Sequence, residues 1–207
     1  MCNKFKGVGK MKRCVIGLSI LMLFLSTLPA YAGAPLNTVQ ANVNKVLDVL
    51  RDPKLKGESA KGIKKEKLEA IYEQMFDEVE LSRRTLGINW TKLNSAQQKE
   101  FIHLYRQILE KAYIDKILSY NDEKIIFPKE SMFSNNQAEV QTKVITSSTE
   151  IPIFYRVILK GGTWKVYDVV VENVSLVQNY RSQFNSILGK NTPDQLLEIL
   201  RKKVKAQ

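Results

Sequence analysis

Cysteine and histidine are almost missing from this chain of 207 residues, which holds only Cys2, Cys14 and His103. Both cysteines fall within the first 32 residues, so the rest has no thiol to pair and must be stabilised by packing. Without imidazole and thiolate ligands no transition-metal site is expected. The sequence also lacks a phosphate-cradling glycine loop, a nucleophile elbow and spaced metal ligands, so no catalytic residue can be nominated. There is no internal repeat and no low-complexity tract. Beyond residue 33 no apolar run is long enough to cross a bilayer. A concentrated basic stripe is missing too, which argues against nucleic acid as a partner despite the net charge of +11.

What is present begins with an export signal. Lys4, Lys6, Lys10, Lys12 and Arg13 precede an apolar run over residues 14–28 that ends at the small-residue site Ala30-Tyr31-Ala32. This pattern predicts a signal peptide over residues 1–32, cleaved before Gly33, and a single mature domain over residues 33–207. The run is short for a membrane span and no stop-transfer pattern follows, which favours cleavage over anchoring. Cys14 precedes the run, whereas a lipid-modified cysteine would follow it. Loss of the segment lowers the net charge to +6, with lysine and arginine dispersed among acids as on a solvated surface.

Apolar periodicity then divides the mature chain. Val39, Val43, Val46, Leu47 and Leu50 share one face of a helix over residues 35–50, and Leu68, Ile71, Tyr72, Met75, Phe76 and Val79 mark a second helix ending before Gly87. Asn94 and Gln97 form a capping box for a long third helix, striped by Phe101, Leu104, Tyr105, Ile108, Leu109, Ala112, Tyr113 and Ile117. From residue 124 the period changes to two. Residues 124–127, 137–146, 151–160 and 163–172 read as strands, the last two joined by a Gly161-Gly162 hairpin. Helix returns over residues 175–188 and again after Thr192-Pro193-Asp194-Gln195. Helices, a meander of strands, then helices predict an α+β domain with an antiparallel sheet of about four strands.

Two polar residues invite a chemical reading. His103 falls just off the helical stripe, as a surface residue would. Asp168 sits mid-strand where alternation turns it inward, and a buried carboxylate needs a partner. Arg83, Arg84 and Arg181 are the candidates for a structural ion pair. Aromatic and large aliphatic side chains are plentiful, but periodicity does not separate a solid core from a lined pocket.

Two blocks carry a family resemblance. Phe76, Arg83, Leu86-Gly87, Trp90, Gln97, Phe101, Leu109 and Tyr113 form one. The other runs from Trp164 through Glu172, then Val174-Ser175-Leu176-Val177 and Asn179-Tyr180-Arg181-Ser182-Gln183-Phe184. Together they resemble the MlaC family of periplasmic phospholipid-binding proteins, also known as toluene-tolerance auxiliary proteins of ABC transporters. Asn173 departs from the pattern, standing where the family often has glycine; asparagine tolerates positive φ and could serve the same turn.

The resemblance implies a helical layer packed on a bent antiparallel sheet, cystatin-like or nuclear-transport-factor-like, with an internal apolar pocket. It further implies a monomeric periplasmic carrier that has phospholipid as cargo and no cofactor. Such a carrier shuttles between an outer-membrane lipoprotein complex and an inner-membrane ABC transporter complex with a substrate-binding ring, maintaining outer-membrane lipid asymmetry. The residues assigned by face to the lipid-binding lining are Met75, Phe76, Tyr105, Ile108, Leu109, Tyr113, Tyr155, Val157, Val166 and Val170. Rival readings keep the fold but carry a hopanoid or another apolar molecule, or make the chain a non-lipid periplasmic adaptor.

Overall fold

The computed structural model of the protein describes residues 33–120 and 123–206. The predicted signal peptide, residues 1–32 with Cys2 and Cys14, lies outside the described residues. The first helix, α1 (Ala34–Arg51), places Pro35 in its first turn, where the missing N–H costs no hydrogen bond. It buries Val39, Val43 and Leu47, the stripe read from the sequence.

The predicted second helix is two helices. α2 (Lys61–Met75) stops at Phe76, whose backbone is extended, and α3 (Glu78–Leu86) begins after Asp77. The Asp77 carboxylate caps α3 by accepting a hydrogen bond from the Glu80 amide at 2.9 Å. Between the helices, Phe76 forms a parallel bridge with Val166, and the Asp77 amide donates to the Val166 carbonyl at 2.9 Å. α4 (Ser95–Leu118) starts with the predicted capping box of Asn94 and Gln97.

The sheet is an open antiparallel meander of five strands in the order β1 (Lys124–Ser134), β2 (Gln137–Ile145), β3 (Glu150–Lys160), β4 (Thr163–Val171) and β5 (Val174–Ser175). The four expected strands are all present, and the two-residue β5, too short to leave a periodic trace, joins them at the edge. β1 runs well past the predicted residue 127; Pro128 and two register shifts break the alternation that would have revealed it. The turn into β5 places Glu172 at φ 48 and Asn173 at φ 68, so asparagine does occupy a left-handed position there. α5 (Leu176–Leu188) and α6 (Pro193–Ala206) complete the expected α+β class.

Apolar burial falls into two clusters. One joins α3, α4, α5 and α6 around Phe101, Tyr105, Ile108, Tyr180, Phe184 and Leu196. The other lies between the sheet and α1, where Val39, Val43, Leu47 and Met75 meet Ala138, Val140, Val157, Trp164 and Val166. Phe76 packs against both.

Candidate functional site

Strand register decides which side chains share the face under α1. Directly opposed residues point to the same side, which groups Ile125 with Val144 and Ile151, Thr142 with Ile153 and Val171, Val140 with Tyr155 and Val169, and Ala138 with Val157 and Val166. Under α1 this face is closed: Ala138, Val140, Val157 and Val166 are fully buried. Towards the other end of the strands the covering gives out, and Ile125, Val144, Ile151, Ile153, Tyr155, Val169 and Val171 are all half-buried.

Tyr155 marks the transition. Burial pushes its phenol up to about 12, so the ring lies deep among protein atoms. Yet the residue keeps accessible surface, and its hydroxyl has no hydrogen-bond partner among the described residues. The closed seam under α1 therefore runs on into a half-buried apolar strip along β2, β3 and β4.

The other cluster is packed solid. Tyr105 meets Phe101, Tyr180 and Phe184 with ring centroids 5.2 to 5.6 Å apart, and the Thr85 hydroxyl lies 3.4 Å from its own. Burial pushes the Tyr105 phenol up.

The residues assigned to a single lining thus occupy several places. Met75, Tyr155, Val157 and Val166 meet at the seam, with Phe76 at its edge. Tyr105, Ile108 and Leu109 sit inside the all-helical cluster, with Tyr113 half-buried against it. Val170 lies on the opposite side of the sheet, with Phe154 and Asp168. The cause is a bulge: Arg156 pairs with Asp168 but Val157 pairs with Val166, so Tyr167 is an extra residue and the alternation inverts there. Alternation alone already joins Ile151 and Ile153 to Tyr155; Ile125, Val144 and Val169 needed the register.

The same bulge corrects the ion pair. Asp168 is buried and paired, but with Arg156, whose Nη1 lies 3.1 Å away, and not with Arg83, Arg84 or Arg181. Its carboxylate also accepts from the Ser175 hydroxyl at 2.6 Å and the Val177 amide at 3.1 Å, fixing the start of α5. Arg83 and Arg84 both reach Glu80, each at 2.7 Å, and their hydrogen bonds, that of Arg83 foremost, hold its carboxyl at about 2. Arg181 donates to the Arg84 carbonyl, and the Arg84 guanidinium stacks 3.9 Å above the Tyr167 ring. These contacts tie α3, α5 and β4 together.

Two surface clefts are ringed by charged side chains. One of about 620 Å³ lies over Phe76 between Glu73, Asp77, Glu78, Arg106, Lys160 and Lys165; there burial raises the Glu78 carboxyl while Arg106 opposes the shift. The other, about 240 Å³, holds Arg84, Arg156, Arg181 and the exposed Phe133. His103 is exposed beside Gln107. Among the described residues no cluster of three or more acids, histidines or cysteines could hold a metal, and no helix is long and apolar enough to cross a membrane.

A helical layer over an open antiparallel meander, with a half-buried apolar strip running on from the seam under α1, defines an α+β protein. Residues 40–202 match the MlaC protein family, and the chain belongs to that family. It is similar to the intermembrane phospholipid transport system binding protein MlaC of Haemophilus influenzae, 26% identical over 119 residues, which is 55% of this chain and 56% of that one. It also resembles the toluene tolerance protein ttg2D of Pseudomonas putida, 24% identical over 180 residues, 86% of this chain and 84% of that one. Among solved structures, a phospholipid-binding protein of Ralstonia solanacearum in complex with a phospholipid has the same fold, with a TM-score of 0.74 at 20% identity over 82% of this chain and 96% of that one.

Proposed function

We propose that the chain is a periplasmic lipid carrier that binds phospholipid acyl chains in a crevice between α1 and the sheet and catalyses no reaction. The observation that carries this reading is the run of half-buried aliphatic side chains around the deep but accessible Tyr155. Each methylene withdrawn from water contributes about 0.8 kcal/mol, so two acyl chains resist exposure by roughly 20 kcal/mol. A soluble carrier has to match that with dry surface. Ile125, Val144, Ile153, Tyr155, Val157, Val166 and Val169 supply it on one face, while Met75 and Phe76 close the seam. The head group stays at the mouth in water, which makes binding tolerant of head-group chemistry.

Membership of the family, and the phospholipid transport and binding named for its relatives, support phospholipid over a hopanoid as cargo. In this reading a monomer exported through residues 1–32 exchanges lipid with an outer-membrane lipoprotein complex and an inner-membrane ABC transporter complex bearing a substrate-binding ring. The test is extraction of the purified, denatured protein followed by mass spectrometry, with uptake of labelled lipid from vesicles as a second measure. Co-purified diacyl phospholipid at about one per chain is expected. Neither co-purified lipid nor uptake would leave only the adaptor reading, and a polycyclic lipid in its place would select the hopanoid alternative.

A further inference from the structure

The N-terminus of α1 is held from across the fold. The Gly33 amide nitrogen lies 2.6 Å from Oε1 of Glu130, and the Leu36 amide nitrogen lies 3.0 Å from Oε2. Helix α1 has no acid in its first turn and no side-chain cap of its own. This one carboxylate from β1 therefore meets both the unpaired N–H groups and the positive end of the helix dipole.

Gly33 is also the residue that cleavage after Ala32 would make the first of the mature chain. Hydrolysis of that bond adds water: Ala32 leaves as a carboxylate and the Gly33 nitrogen becomes an ammonium group. We propose that this new ammonium forms an ion pair with Glu130, so that removal of the export signal adds a charge contact that pins α1 over the apolar seam. The inference rests on the export reading of residues 1–32.

Little else competes for the site. Helix α1 has no charged residue before Lys45. On β1, Lys129 is exposed and, by its pairing with Gln141, belongs to the opposite face of the sheet, as does Glu139 of β2, which is bound to Arg156. From β4, Lys165 is bonded to the carbonyls of Glu73 and Gln74 at the end of α2, and Lys160 of β3 is paired with Asp77. A free α-amino group titrates near 7.7 to 8.0, and pairing raises that value in the folded state. The added stability is therefore fully present below about pH 7.7 and is lost as pH rises through the raised value.

The test begins with the full chain expressed with export, its mature terminus read by N-terminal sequencing and intact mass. Thermal unfolding is then followed from pH 6 to pH 10 for the processed protein and for Glu130→Gln, each also made with two extra residues ahead of Gly33. The processed pair is expected to differ in Tm by about 2 to 4 °C at pH 6, the gap closing towards pH 10, and the extended pair to show a smaller gap that does not change with pH. A Gly33 terminus with the same gap in both pairs, or with none, overturns the ion pair alone. A terminus elsewhere overturns the export reading together with the pair.

Discussion

The buried carboxylate of Asp168 accepts a 2.6 Å hydrogen bond from the Ser175 hydroxyl, and through that bond β4 is tied to the start of α5. The Ser175 hydroxyl in turn accepts from the Gln178 amide at 3.0 Å, as a helix cap does. Asp168→Ala would leave Arg156 with Glu139 alone and Ser175 and Val177 without their acceptor. The expected loss is about 1 to 3 kcal/mol by urea unfolding; Asp168→Asn, which keeps the shape and one acceptor, should lose less. Equal stability of Asp168→Ala and the parent would remove this contact from the list of what holds α5 in place.

Filling the proposed crevice should empty it of lipid without unfolding the protein. Ile153→Trp puts a larger ring on the half-buried face beside Thr142 and Val171, and lipid occupancy by mass spectrometry is expected to fall several-fold while far-UV circular dichroism is unchanged. Leu109→Trp is the contrast. It enlarges a side chain in the solid helical cluster, where overpacking costs about 1 to 3 kcal/mol, and a stable protein with normal occupancy would mean that the cluster is not tightly filled.

Acid stability should reside partly in Glu80. Its folded-state value of about 2 lies below the ordinary one because Arg83 and Arg84 donate to it. A depressed carboxyl contributes stability that is present above its unfolded value, near 4.3, and lost as pH falls towards 2. With Arg83 half-exposed and screened, the contribution is about 2 kcal/mol. Glu80→Gln should therefore flatten the fall in stability between pH 4.5 and pH 2; an unchanged slope would place the acid sensitivity elsewhere.

The turn from β4 to β5 offers a gain. Glu172 has φ 48, a left-handed conformation that costs an ordinary L-residue about 1 kcal/mol or more. Glu172→Gly relieves that strain and is expected to raise stability by about 0.5 kcal/mol after the extra flexibility of the unfolded chain is counted. Asn173→Val, at φ 68, should lower it. Both follow from thermal unfolding at pH 7, and a loss on Glu172→Gly would contradict the assigned strain.

Features written in local pattern were legible in the sequence. The capping box at Asn94, the stripe of α4 and the Gly161-Gly162 hairpin each depend on neighbours a few residues away. What stayed hidden depends on partners far along the chain. Met75, Phe76 and Val79 continue a helical stripe, so nothing local announces that Phe76 leaves the helix to bridge Val166. Likewise Val166-Tyr167-Asp168-Val169-Val170 reads as unbroken alternation, and only its pairing with β3 exposes the bulge that separates Val166 from Val170 and brings Arg156 to Asp168. Glu130 gave no sign at all, since its role exists only once α1 lies against β1.

The meander ends in an unpaired β1 and does not close on itself. A closed barrel has a bore fixed by strand number and stagger, but no such relation constrains this molecule. The curvature of the open sheet can therefore change where α1 no longer covers it. On the proposed carrier reading, acyl chains of unequal length or saturation can then share one site, their differences absorbed by curvature.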